Sequence, residues 1–152
     1  MSLSNLTASG EGGVNLTLPF LEALKATDSI TASSNAVIST YDSVSGSLAG
    51  QFSLATGFTP AVSGLYLITG IFTCNAGATS AGAIMEVSIY QNSLTNIQIQ
   101  DNGYVGGVIS PTVSGLIKLT AGTLVKMEIL QTLASPLAIT NLRFRVVFLG
   151  QM

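Results

Sequence analysis

The chain offers few side chains that could do chemistry. It contains no histidine, so neither a Ser-His-Asp triad nor a Cys-His pair can form. A Ser-Lys arrangement would need a lysine in a pocket, and Lys118 and Lys126 both alternate with apolar residues, as water-facing residues of strands do. The sequence therefore predicts that no residue is catalytic and that the protein is not an enzyme.

The carboxylates also give no clear indication of a catalytic or metal site. Paired acids for general acid–base catalysis would draw on Asp42, Glu86, Asp101 and Glu128, yet their spacing brings no two of them together on one element. A zinc-type site lacks ligands, and the tripeptide Asp101-Asn102-Gly103 is more typical of a loop than of a calcium site. We expect neither a metal nor a cofactor.

Composition narrows the choice of partners. Only 8% of the 152 residues are charged, against about 25% in an ordinary soluble protein, while 18 Ser and 16 Thr supply most of the polarity. Five Lys and Arg residues cannot make a basic patch that neutralises several phosphates, so nucleic acid is not expected as a partner. No uninterrupted apolar segment approaches the roughly 20 residues that cross a bilayer, so we expect no membrane insertion.

The cellular route is also predicted from sequence. The N-terminus, residues 1–5, has neither a charged start nor an apolar run of seven or more residues. We therefore expect no signal peptide and synthesis in the cytoplasm. Cys74 is the single cysteine, so no disulfide can form within the chain, and we expect it to be a small buried residue.

From residue 30 onward the pattern is that of an all-β sandwich, with short apolar or alternating runs separated by Gly, Asn, Ser and Pro. The predicted strands cover roughly residues 35–41, 48–54, 64–74, 83–91, 94–100, 104–109, 112–120, 123–132 and 139–149. The last of these alternates Phe144 and Phe148 with Arg143 and Arg145, and we expect it to be central.

The segment 58–73 organises this prediction, because its strand is apolar on both faces. One face carries Tyr66, Ile68, Gly70 and Phe72; the other carries Leu65, Leu67, Thr69 and Ile71. A strand covered on both sides needs its own core on one side and a second body on the other, which predicts an oligomer.

A late hairpin is predicted over residues 116–130. The turn Thr120-Ala121-Gly122-Thr123 lies between two alternating runs, and its glycine suits a tight connection between antiparallel strands. In the second run Met127 and its apolar neighbours would face the core, while Lys126 and Glu128 would face water.

Residues 1–29 differ in composition and are interpreted as an N-terminal arm, followed by one domain over residues 30–152. Within the arm, the segment 19–26 predicts a short helix, since proline suits a first helical turn and Phe20, Leu21 and Leu24 would share one stripe. That stripe could pack on its own domain or attach to a neighbour.

The segment Gly57-Phe58-Thr59-Pro60-Ala61-Val62-Ser63-Gly64-Leu65-Tyr66 resembles the Gly-x-Phe-x-x-Pro-x-x-Gly-x-Tyr motif of the complement C-one-q and tumour-necrosis-factor superfamily, in shortened form. The similarity extends over about residues 35–150. It implies a jelly-roll β-sandwich of about ten antiparallel strands that assembles as a compact homotrimer. Our candidates for the trimer interface, which could instead be core residues, are Tyr66, Ile68, Phe72, Phe144 and Phe148.

The functional expectation follows from that resemblance and from composition. Similar trimers serve as decoration proteins on bacteriophage capsids and as heads of tail fibres, so we expect a virion component that binds other virion proteins. The alternative is a trimeric receptor-binding head, or an adhesion domain like complement heads, that binds a cell-surface glycan or protein. Tyr90 and Tyr104 would be its exposed aromatic residues.

Overall fold

A computed structural model of the chain describes residues 7–9, 13–15, 18–32, 34–38, 40–75, 84–92, 94–102 and 107–152. These residues form two six-stranded antiparallel sheets and a separate two-stranded ribbon. The strands are β1 (Thr7–Ser9), β2 (Gly13–Asn15), β3 (Phe20–Ile30), β4 (Ser34–Ile38), β5 (Ser43–Ser45), β6 (Phe52–Ser53), β7 (Gly57–Phe58), β8 (Gly64–Asn75), β9 (Ile84–Gln91), β10 (Leu94–Asn102), β11 (Val108–Ile109), β12 (Thr112–Leu119), β13 (Val125–Gln131) and β14 (Leu137–Gly150).

The first sheet has the strand order β11-β8-β14-β3-β5, and β12 also pairs with β8. The second sheet has the order β10-β9-β13-β7-β6, and β4 also pairs with β13. The ribbon consists of β1 and β2. The all-β sandwich is therefore confirmed, and so is the central position of the last strand, because β14 lies between β8 and β3.

The core lies between the two sheets and is rich in aromatic side chains. Phe58 and Tyr66 contact each other with ring centroids 5.8 Å apart, and the Tyr66 hydroxyl donates a hydrogen bond of 2.6 Å to the carbonyl oxygen of Val62. Gly70 leaves room for the side chain of Met127 from the opposite sheet, since a Cβ atom at Gly70 would lie 2.5 Å from the methionine sulfur. The two sheets thus interlock through large residues facing small ones.

The predicted helix over residues 19–26 is wrong. Residues Phe20–Ile30 form β3, which pairs with β14 over ten residue pairs. Burial alternates with a period of two, because Leu21 and Ala23 are buried whereas Phe20 and Leu24 are exposed. Cross-strand pairing and burial of that alternate set outweigh the helix-forming tendency of the local sequence. Residues 20–29 consequently belong to the sandwich and not to an arm.

The predicted late hairpin is also wrong, although its strands exist. β12 pairs with β8 in the first sheet, whereas β13 pairs with β4, β7 and β9 in the second. The turn between them carries the chain from one sheet to the other. It is fixed by hydrogen bonds from the Gly122 N–H to the Pro60 carbonyl (2.8 Å) and from the Ala121 N–H to the Ser63 hydroxyl (2.9 Å). Gly122 has a φ of 82°, which favours glycine.

Two of the predicted strands are only partly strands in the structure. In the segment 48–54, residues Ala49–Gln51 form a 3₁₀ turn and only Phe52–Ser53 is a strand. In the segment 104–109 only Val108–Ile109 is described as a strand. Residues 103–106, which include Tyr104, lie outside the described residues.

Candidate subunit interface

The two faces of the first sheet differ sharply in what covers them. One face packs against the second sheet and contains the buried alternate residues of β3, β8, β12 and β14. The other face, which we call the open face, has no other described strand packed across it. The open face comprises Phe20, Glu22, Leu24, Leu67, Thr69, Ile71, Thr73, Ser114, Leu116, Arg143, Arg145 and Val147.

An apolar row crosses the open face at right angles to the strands. Strand register places Leu116 beside Leu67, Leu67 beside Val147, and Val147 beside Phe20. Leu116 is 62% exposed and Phe20 38% exposed. Leu67 and Val147 between them are half-buried. Single exposed apolar residues are ordinary, but a row of four apolar side chains across four strands forms a continuous patch, and such patches mark interaction sites.

Charged and hydroxyl side chains form the next row. Register places Ser114, Thr69, Arg145 and Glu22 side by side across the same four strands. The hydroxyls of Thr69 and Ser114 are 3.0 Å apart, and Arg145 Nε lies 3.6 Å from Glu22 Oε1. Such an exposed ion pair contributes about 0–1 kcal/mol to stability, so this row is better suited to orienting a contact than to holding the fold.

Most of the side chains that we predicted at the trimer interface lie in the core. Tyr66, Ile68, Phe72 and Phe144 are each at most 2% exposed within a single chain, so they have no surface left for a second subunit. These four are core residues, the alternative that the sequence left open, because the faces of β8 and β14 that carry them face the second sheet. Phe148 is half-buried and packs on Tyr66, with ring centroids 5.0 Å apart.

The three residues predicted for attachment lie on different faces of the first sheet. Leu21 is fully buried in the core, whereas Phe20 and Leu24 lie on the open face. All three belong to β3, which pairs with β14 and β5, so they are part of the sandwich.

Three residues of the apolar row were missed as candidates, namely Leu67, Leu116 and Val147. The alternation of β8 had already separated Leu67 from Tyr66, and this signal was available from sequence. Whether an apolar face meets the core or the outside depends on which sheet lies behind it, and alternation alone does not contain that information.

The second sheet carries the one buried charged residue among those described. Glu128 is 8% exposed, not water-facing as predicted, and register places it opposite Ser88. Burial and the neighbouring charge of Glu86 raise the pKa of the Glu128 carboxyl above 4.5. The Ser88 hydroxyl is buried and has no hydrogen-bond partner among the described residues.

Other titratable groups are placed for packing. Cys74 is buried, as predicted, and burial raises the pKa of its thiol to about 11, which keeps the thiol protonated and poorly nucleophilic at neutral pH. Burial also raises the pKa of Tyr41, whose ring packs edge-on against Phe52 at 5.0 Å. Within the described ranges no three His, Cys, Asp or Glu side chains cluster in a way that could hold a metal ion.

Helices long and apolar enough to cross a membrane do not occur in the described part of the chain.

The fold and the open face together define a class of protein: a jelly-roll sandwich with one complete core and one partly apolar sheet face that no other described strand covers. Solved structures with the same fold include the globular domain of the zebrafish complement 1qA protein, at 16% identity and a TM-score of 0.64, over 88% of this chain and 99% of that one. Another is the Eiger tumour-necrosis-factor structure from S. frugiperda, at 12% identity and a TM-score of 0.57, over 88% of this chain and 95% of that one. No protein-family model matches the chain, and no curated protein matches it either.

The resemblance noted in the sequence is therefore confirmed at the level of the fold. These identities are too low to transfer an activity or a binding partner.

Proposed function

We propose that the protein is a non-enzymatic structural protein that assembles as a homotrimer through the open face. The observation that carries this proposal is the apolar row from Leu116 to Phe20, on a sheet whose other face already has a complete core. A second copy of the chain is the occupant that fits, since the residues around the row include both signs of charge, Arg145 and Glu22, and opposite charges of neighbouring copies can then pair. The trimeric assembly of the resembled superfamily supports three copies.

The titratable residues explain why we assign no catalytic role. The chain has no histidine. Lys25 is paired with Asp28 at 2.8 Å, Lys118 is exposed, and Lys126 is half-buried on the second sheet. The sequence contains few of the acids, bases and nucleophiles that a reaction needs, and the described part of the structure does not place them close together.

We further propose that the trimer is a component of a bacteriophage virion, most concretely a decoration protein on the capsid. Low charge, a hydroxyl-rich surface and a self-assembling jelly roll suit a protein that works by covering and fastening surfaces. Its partners are then itself and other virion proteins.

Mass spectrometry of purified particles from the phage that encodes the chain tests this proposal. A decoration protein is expected on the particles in a copy number divisible by three, and it should return to particles that have been stripped of it. Absence from particles would contradict the virion role. Binding to host cells or their glycans, with no binding to stripped capsids, would favour the receptor-binding head.

A further inference from the structure

A recess of about 450 Å³ lies on the open face, next to the apolar row. It is lined by Glu22, Thr69, Ile71, Thr73, Asn141, Arg143 and Arg145. The size is that of a small-molecule site, which typically occupies about 300–1,000 Å³. Two of the chain's five basic residues meet here, although only 8% of all residues are charged.

Charge in the recess is unbalanced. Among the described residues, Arg143 and Arg145 each pair only with Glu22, at 3.9 and 3.6 Å, which is longer than a charge-assisted hydrogen bond of about 2.7–2.9 Å. Their side chains are 56% and 58% exposed. One carboxylate between two guanidinium groups leaves one positive charge, and neither arginine donates a side-chain hydrogen bond to any residue the structure describes.

A β-bulge in β14 brings the arginines to this side. The pairing of β14 with β8 shifts register between Thr140 and Arg143, and Asn141 has a φ of 52°. Ile139 faces the core before the bulge and Leu142 faces it after the bulge. In a regular strand, core-facing residues are separated by an even number of positions, whereas these two are separated by three. A regular strand would have pointed Arg143 inward, so the bulge turns both arginines outward and adds the exposed Asn141 to the recess.

The remaining lining supplies neutral donors and an apolar floor. The hydroxyl of Thr69 lies 3.0 Å from that of Ser114, and the hydroxyl of Thr73 lies 3.0 Å from that of Ser110, so each pair can turn a proton toward a ligand. Ile71 is half-buried between them. Donors of this kind around two guanidinium groups match an anion with several oxygen atoms.

We propose that the recess binds a small oxyanion of the phosphate or sulfate class. This inference rests on the proposed trimer in one respect: the recess lies on the face proposed as the interface, where subunit contact would bring arginines of different copies together. A bound oxyanion would remove that repulsion and link the copies through bidentate contacts. The charged row then sets the geometry of assembly while the apolar row supplies most of the attraction.

Calorimetric titration of the full-length protein with inorganic phosphate, at constant ionic strength, tests the inference directly. We expect saturable binding that falls about tenfold in Arg143→Gln and in Arg145→Gln, since a hydrogen bond to a charged group is worth about that factor. Glu22→Gln should bind phosphate more tightly, because it removes the competing carboxylate. Lys118→Gln is the matched control: Lys118 is an exposed cation on the same sheet but outside the recess, and its loss should leave the affinity unchanged.

A second variant covers the case in which an arginine substitution harms folding. Asn141→Gly keeps the left-handed backbone that the bulge needs and removes only the amide, so a weaker phosphate affinity in this folded variant supports the recess as the site. Malonate in place of phosphate shows whether carboxylates are accepted as well.

Sedimentation at the same ionic strength, in phosphate and in chloride, separates this inference from the proposed function. A trimer that binds no phosphate, or binds it equally well in the arginine variants, would overturn the oxyanion site and leave the trimer standing. A monomer that binds phosphate through the arginines would overturn the proposed trimer and leave the oxyanion site standing.

Discussion

At the scale of single residues, Glu128 shows how a fold changes the meaning of an alternating pattern. Its position between Met127 and Ile129 predicts a water-facing side chain, and it does point away from the core. It is nevertheless 8% exposed, because the neighbouring strands β4 and β9 flank it on both sides in the middle of the second sheet. Sequence gives the face of a strand residue, whereas its exposure depends on which strands become its neighbours.

The buried Glu128 predicts a pH dependence of stability. Its pKa in the folded protein lies above the ordinary 4.5, so the folded state holds the proton more tightly than the unfolded state does. The contribution of this group is therefore fully present below pH 4.5 and is lost as the pH rises through the raised value. We expect Glu128→Gln to raise the Tm at pH 7 and to flatten the decline in stability above pH 4.5.

Thermal unfolding followed between pH 4 and pH 8 measures this effect. Glu86→Gln is the control, since it removes only the neighbouring charge and leaves the burial of Glu128 in place; it should weaken the pH dependence without abolishing it. A Glu128→Gln variant whose Tm at pH 7 is lower than that of the wild type would contradict the argument.

At the scale of elements, period-two alternation predicted most of the long strands with bounds close to those observed, among them β8, β12 and β14. Two failures have physical causes. The segment from Phe20 to Ala26 contains good helix formers, and only its pairing with β14 makes it a strand. Two strands joined by a short glycine turn look like a hairpin from sequence, but β12 and β13 lie in different sheets, where β12 pairs along its full length with β8 and β13 along its full length with β9.

The position of β3 predicts the outcome of truncation. Removing residues 2–17 should leave a folded protein, because the sandwich strands begin at Phe20. Removing residues 2–28 deletes nearly all of β3, including the buried Leu21, whose side chain alone is worth about 2–5 kcal/mol. Since a typical domain is stable by only about 5–15 kcal/mol, we expect the longer truncation to be unfolded.

Circular dichroism and thermal melts of the two truncated proteins provide the measurement. Equal, cooperative melting of both would show that the second sheet and β14 suffice without β3, and would restore residues 20–28 to an arm.

At the scale of the whole molecule, the open face, which no other described strand covers, is what sets this chain apart from a self-sufficient sandwich. A jelly roll has two outer faces, and here one of them carries an apolar row spanning four strands while its inner side is already filled. Sequence alone predicted that β8 is apolar on both faces, but it could not say which face meets the other sheet. The surface that we propose for assembly therefore consists of Leu67 and its neighbours, since the aromatic residues that stand out in the sequence lie in the core.

The apolar row predicts that assembly can be abolished without unfolding the chain. Leu116→Asp places a charge at a residue that is 62% exposed in one subunit, so folding should be unaffected, whereas a buried charge at a subunit contact costs about 2 kcal/mol or more for each copy. We expect sedimentation equilibrium to give about three times 15.6 kDa for the wild type and a single-chain mass for the variant, with the same β-sheet signal. Leu54→Asp is the matched control, since Leu54 is 41% exposed in the loop between β6 and β7, away from the open face. It should remain trimeric; a trimeric Leu116→Asp, or a wild type at the mass of one chain, would exclude the open face as the trimer interface.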